Sequence, residues 1–160
     1  MVREVIGFAL ILMVFAIAFR IWRSVRARKL AQESSLPELS PSLGGLEIGP
    51  ALYVATVFAR RPLDRLWAYG LGARGKARVF TGDSAVSIER QGERDFSIPF
   101  ASITRLTHER ATIDKGVERD GLIAIHWQLG ETALMTHLRV IANQQAFAKE
   151  MERAIGISFE

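Results

Sequence analysis

The segment Val5–Phe19, VIGFALILMVFAIAF, runs for fifteen residues without a charge. Past Arg20, Ile21 and Trp22 carry the apolar stretch to eighteen residues. As a helix rising 1.5 Å per residue it spans roughly 27 Å, close to the hydrocarbon thickness of a bilayer. Arg20 can reach the head groups along its aliphatic stem, and Trp22 suits the interface. A cleaved signal would need a basic front and a small-residue cleavage site. Here Arg3 stands beside Glu4, and no A-x-A-like site follows. A buried core helix is at odds with the basic residues directly behind the run. The expectation is a transmembrane anchor over residues 1–23.

Those basic residues, Arg20, Arg23, Arg26, Arg28 and Lys29, form a juxtamembrane cluster. Positive charge near a span end is retained in the cytoplasm. The sequence therefore predicts a single-pass protein of the cell (inner) membrane, its N-terminus outside and everything from about residue 24 cytoplasmic. The formal net charge of +4 and pI of about 10.0 raise the question of nucleic acid. Residues 1–45 carry +3 of that excess and residues 46–160 only +1. Nucleic-acid binding needs a basic face on the folded domain, so that class is set aside. The chain has no Cys, so disulfides and thiolate metal sites are excluded.

Residues 24–50 read as the basic juxtamembrane segment and a Pro/Ser/Gly linker, with AQESSLPELSPSLGGLEIGP at 31–50 carrying no apolar period. From 51 to 158 the pattern becomes that of a domain. Short runs of β-branched and aromatic residues at 52–58, 76–80, 85–90, 95–100, 102–106, 121–129 and 132–140 are separated by turn signals. Val86 and Ile88 alternate with Ser87 and Glu89; Phe96, Ile98 and Phe100 share a face. About seven antiparallel strands result. Asn143 then caps a helix over about 144–155, whose Phe147, Met151, Ala154 and Ile155 make an apolar stripe. That stripe must cover the sheet or an open barrel end.

The stretches LYVATVF, GLGARGKA, GLIAIHW and THLR resemble a family of actinobacterial single-span membrane proteins with a bacterial pleckstrin-homology-like domain. The resemblance covers about residues 50–155. It implies a mainly-β pleckstrin-homology-like barrel closed by a C-terminal amphipathic helix, and it brings no established biochemical role.

The glycine stretch Gly70–Arg78, GLGARGKAR, matches G-x-G-x-x-G and nearly matches G-x-x-x-x-G-K-[ST]. A dinucleotide loop leaves a strand and opens a helix. Here RRPLDRLWAY, read as a turn or short helix, precedes it, and the strand-like KARVF follows. Ala77 occupies the magnesium-binding Ser/Thr position. The loop is read as a tight turn, with no nucleotide and no other cofactor. Arg74, Lys76 and Arg78 alternate along the following strand, and Arg60, Arg61 and Arg65 precede it with only Asp64 opposing. These six are the candidate contacts for anionic lipid head groups or a protein partner. No catalytic constellation is present. His108, His126 and His137 lack a placed carboxylate and are read as ordinary strand residues, with no metal. Glu93, Asp95, Glu118 and Asp120 are read as solvated turn residues.

Two functions follow from this. One is a membrane-tethered cytoplasmic binding or scaffolding module, docking its partner on an exposed sheet edge or the open barrel end. The other is an accessory subunit of a larger inner-membrane complex. An enzyme is not expected.

Overall fold

A period-two alternation makes strands, and a 3.6-residue stripe makes a helix; the chain past residue 46 obeys both in turn. The computed structural model describes residues 2–109 and 122–160. A long helix α1 (Val2–Ser35) leads into strands β1 (Leu46–Phe58), β2 (Arg61–Arg65), β3 (Gly75–Thr81), β4 (Ala85–Arg90), β5 (Phe96–Pro99), β6 (Ile103–Glu109), β7 (Leu122–Leu129) and β8 (Thr132–Val140). Helix α2 (Gln144–Ile155) follows. Short 3-10 turns occupy Ala68–Gly70 and Phe100–Ser102. The sheet is antiparallel in the order β5-β4-β3-β1-β8-β7-β6, with β2 paired to β1 alone. β1 serves both halves: its register shifts between Glu47 and Gly49 and between Tyr53 and Ala55, and such bulges bend a strand.

The core is aromatic at its centre. Phe96 meets Tyr53 edge-on at 6.1 Å and lies over Trp127 at 6.4 Å. Tyr53, Thr56, Thr136 and Trp127 are fully or almost fully buried and joined by hydrogen bonds. Trp127 Nε1 donates to Thr136 Oγ1 at 2.9 Å, Thr136 and Thr56 hydroxyls lie 2.7 Å apart, and Thr56 Oγ1 is 2.7 Å from Tyr53 Oη. Tyr53 Oη donates to the Leu71 carbonyl at 2.8 Å. Each hydroxyl has one proton, so the direction is fixed. Tyr53 gives its proton to a carbonyl and must accept from Thr56, which in turn accepts from Thr136. The chain ties β7, β8 and β1 to the loop after β2.

Asn143 caps α2, its side chain accepting from Ala146 N at 3.3 Å. Phe147 and Met151 are buried, and Ala154 and Ile155 are half-buried. Burying Phe147 and Met151 contributes about 2–3 kcal/mol each.

Three expectations need correction. Within RRPLDRLWAY, expected as a turn or short helix, Arg61–Arg65 is a strand, β2, in a hairpin on β1, while a turn precedes it at 59–60 and the 3-10 turn follows; Pro62 is tolerated because β2 is an edge strand. The domain does not begin at 51, since β1 starts at Leu46. Nor is 24–50 a loose linker. Its first part, to Ser35, is helical, and residues 36–45 are strapped across the barrel. Leu39 is buried in the core. Ser97 donates from its N–H to Ser40 O and from its hydroxyl to Pro41 O, and Leu43 N donates to Ser87 Oγ at 3.1 Å. Ser87 and Ser97, polar residues of alternating strands, are buried under this strap.

The strap lies along the β5 edge. At the other edge, Phe159 bridges to Leu106 of β6, and Glu160 N donates to Leu106 O at 3.0 Å. Those edges are therefore occupied by the chain itself where a partner strand was expected to add.

Among the described residues no helix is long and apolar enough to cross a membrane. The described side chains run continuously only from Leu10, and an eighteen-residue stretch from there takes in Arg20, Arg23 and Arg26. Val5, Ile6, Phe8 and Ala9, which complete the expected span, have side chains outside the described residues, as do Glu118 and Asp120.

Candidate functional site

The most elaborate polar arrangement lies at one end of the barrel, where α1 arrives. The β1–β2 hairpin, the 66–74 loop and the β4–β5 turn meet there, and Pro37 rests against Gly130 of the β7–β8 turn. Leu66, Ala68 and Leu71 turn into the core. Leu66 N donates to Thr56 O and Thr56 N to Leu71 O, pinning the loop to β1 at 2.9 and 2.8 Å.

The 68–70 turn lacks a side-chain cap of its own. Helix α1 supplies one. Gln32 Oε1 accepts from Trp67 N at 2.7 Å and from Ala68 N at 3.2 Å. Glu33 Oε1 accepts from Tyr69 N at 2.9 Å, and the Tyr69 hydroxyl reaches Pro37 O at 3.2 Å. Tyr69 is held at φ 55, a left-handed backbone that costs a non-glycine residue of order 1 kcal/mol or more. The bonds to its amide, hydroxyl and carbonyl hold it there.

The carbonyl side of the same turn belongs to Arg90. Its guanidinium donates to Gly70 O at 2.8 Å, to Tyr69 O at 3.2 Å and to Arg94 O, through Nε at 3.0 Å and again through Nη2. The cation lies over the rings of Tyr53 and Phe96, 4.9 and 5.1 Å from their centroids. Arg90 is only 5% exposed. Burial pulls its pKa down, while Tyr53, Glu93 and Asp95 pull the other way. Sequence reading missed Arg90, Gln32, Glu33 and Tyr69. The one clue to Arg90 was its inward parity with Val86 and Ile88 in β4.

This geometry settles what the glycine loop does. Gly70 has φ +71, and a Cβ on Gly72 would sit 2.8 Å from the Trp67 ring. The amides of Trp67, Ala68, Tyr69, Leu71 and Ala73 are all engaged within the protein. The carbonyls of residues 69–71 point inward to Arg90, Tyr53 and Thr56. A phosphate loop presents amides outward at a helix start. This one gives them to α1 and to its own carbonyls, and it continues into β3.

The six candidate cations divide into two groups. Arg60, Arg61, Arg65 and Arg74 are exposed at the α1 end, with Arg61 paired to Asp64 at 3.0 Å and Arg65 donating to Gly72 O at 3.3 Å. Lys76 and Arg78 lie on the outer face of β3, along a groove of about 450 Å³ shared with Glu89 and Asp95. Arg78 pairs with Glu89 at 2.9 Å and approaches Glu47 at 4.0 Å. Among the described residues, Arg60, Arg74 and Lys76 have no ion pair within 4.0 Å. A smaller cleft of about 260 Å³ separates α1 from the barrel, lined by Lys29, Glu33, Tyr69, Gly70, Glu93 and Arg94. Arg20, Arg23, Arg26, Arg28 and Lys29 are all exposed on α1.

Among the described residues no arrangement suits acid–base or nucleophilic work. Among the described residues no three His, Asp or Glu side chains are grouped to hold a metal. His108 stacks on Phe159 at 4.5 Å, and His126 Nε2 lies 3.1 Å from Thr107 Oγ1. The β7–β8 register places His126 opposite Met135 and His137 opposite Ala124, so the two histidines stand diagonally across the hairpin.

An antiparallel seven- to eight-stranded sheet with one C-terminal helix is the architecture, and residues 34–155 match the family model described as bacterial PH domain-like. The chain belongs to that family. No match was found among curated proteins. The matched region begins at Ser34, so the strap lies within the PH-like domain, in keeping with Leu39 being part of its core. Domains of this type are typically non-catalytic binding modules for proteins or lipids. The polar groups here fit that: they hold loops in place and leave exposed cations outward.

Proposed function

We propose that this protein is a membrane-tethered binding or scaffolding module. Helix α1 is its anchor, and the PH-like domain stands on the cytoplasmic face of the cell membrane, where it recruits a protein partner or meets anionic lipid head groups. The observation that carries this reading is the surface of α1. Leu10, Ile11, Leu12, Met13, Val14, Phe15, Ile17, Phe19, Ile21 and Trp22 are all exposed, on every side of one helix. An all-round apolar helix is stable only inside a protein core or in lipid, and the barrel covers none of these side chains. The uncharged sequence extends back to Val5, and Arg20, Arg23, Arg26, Arg28 and Lys29 follow it, which by the positive-inside tendency supports a cytoplasmic domain.

The test is topology. Protease added to intact cells should leave residues 46–160 whole, and carbonate washing should leave the full chain in the membrane fraction. Leu12→Arg should cost about 2–3.5 kcal/mol of insertion free energy and release much of the chain. A Leu12→Arg chain that still resists carbonate places the anchor elsewhere. Cleavage of the domain from outside would invert the orientation. A stoichiometric assembly isolated in mild detergent would favour the accessory-subunit reading.

A further inference from the structure

The way α1 joins the barrel points to an orientation as well as a tether. We propose that the α1 docking holds the barrel with its α1 end toward the bilayer, so that Leu63 and Trp67, ringed by Arg60, Arg61, Arg65 and Arg74, rest on an anionic lipid surface. The inference builds on the reading of α1 as a membrane anchor.

The joint is stiff. Gln32 and Glu33 bond the three amides of residues 67–69, Tyr69 reaches back to the main chain of α1 and the strap, and seven residues after Gln32 the chain is buried at Leu39. No flexible linker separates the helix from the domain. From residue 31 back to Leu10 every side chain of α1 is exposed, so the helix leaves the barrel at this end and does not fold down its side. Ten residues separate Gln32 from Trp22, roughly 15 Å of helix. The polar layer of one leaflet takes up about 5–7 Å of that. The β1–β2 hairpin bridges much of the remainder. Leu66 bonds Thr56 near the level of Trp67, and β1 runs on from there to Phe58, roughly 7 Å at 3.3 Å per residue, before the chain turns through Arg60.

The hairpin has the composition of an interfacial surface. Leu63 is 91% exposed, which leaves a large aliphatic group wholly in water if nothing covers it. Trp67 is 40% exposed although its backbone is fixed. Tryptophan prefers the head-group level, and arginines beside it favour anionic lipid. Asp64 is the one acid in the segment 60–67, and Arg61 already neutralises it. Lys76 and Arg78, by contrast, face sideways along β3, with Arg78 held by Glu89. The lipid-facing set is therefore the hairpin and not the β3 stripe.

The chain reports on itself, because its three tryptophans occupy three settings: Trp22 on α1, Trp67 on the hairpin and Trp127 in the core. The full chain would be reconstituted in phosphatidylcholine vesicles with or without phosphatidylglycerol, carrying bromine on the upper acyl chain. Comparing wild type with Trp22→Phe and with Trp67→Phe isolates each signal above the Trp127 background. The expected result is quenching of Trp67 that requires phosphatidylglycerol, weakens with salt, and falls to background in Leu63→Asp and in the Gln32→Ala/Glu33→Ala double variant. Leu63 is at the surface and the double variant removes only the bonds of the joint, so Trp127 emission verifies that the core remains intact. Quenching of Trp22 without Trp67 overturns this inference and leaves the anchor standing. If neither is quenched, the anchor reading fails first. Trp67 shielded from aqueous acrylamide yet not quenched by lipid would mean that a second chain covers the hairpin, which also overturns it.

Discussion

Tyr53 shows how one buried hydroxyl controls a stability limit. Burial raises its pKa above the ordinary value, and the hydrogen bond from Thr56 and the charge of Arg90 only partly counter this. The folded-state pKa thus exceeds the unfolded value of about 10. Below pH 10 both states are protonated and the contribution is constant. Above it the unfolded chain ionises first, so stability is lost as pH rises, by up to about 1.4 kcal/mol per pH unit. The midpoint of urea unfolding should therefore fall steeply above pH 10 in the wild type. Tyr53→Phe should flatten that limb while costing about 1 kcal/mol at neutral pH. An equally steep fall in the variant would assign the alkaline limit to another group. At this scale Asn143 was legible in the sequence, because a cap acts on residues three positions away. Arg90 was not, because its acceptors at Tyr69 and Gly70 lie some twenty positions earlier and a bare charge reads as solvent-facing.

Among the elements, the strap departs most from what its composition suggests. Pro, Ser and Gly correctly exclude a helix or long strand over residues 36–45. They say nothing about whether the segment is docked. Leu39 is 1% exposed and Leu43 is 65% exposed, four residues apart in the same strap. Leu39→Ala should cost about 2–5 kcal/mol, as for a core leucine, while Leu43→Ala should stay within about 0.5 kcal/mol. Thermal melts of the two variants check this directly. Equal, small losses would mean that the strap is peripheral in solution. β2 escaped notice for a related reason. A five-residue edge strand holding Pro62, with every residue exposed, has no alternation of burial to betray it.

For the whole molecule, the strap and the α1 docking make the folding unit larger than the β-rich segment. A fragment of residues 46–160 loses Leu39, the β5-edge bonds and the cap on the 68–70 turn. It should fold poorly, whereas residues 30–160 should give a cooperative transition and well-dispersed amide resonances. A stable, dispersed spectrum from residues 46–160 would show that the strap is dispensable. The sequence by itself determined what depends on neighbours along the chain: the apolar run and its trailing arginines, seven of the eight strands, the capped amphipathic helix, and the failure of the glycine loop to open a helix. Tertiary structure alone decided that α1 caps the 68–70 turn, that Arg90 sits buried under carbonyls, that the strap closes an edge, and that the six cations split between two surfaces. Those outcomes depend on strand register and on contacts between residues twenty to eighty positions apart, and neither periodicity nor composition encodes such pairings.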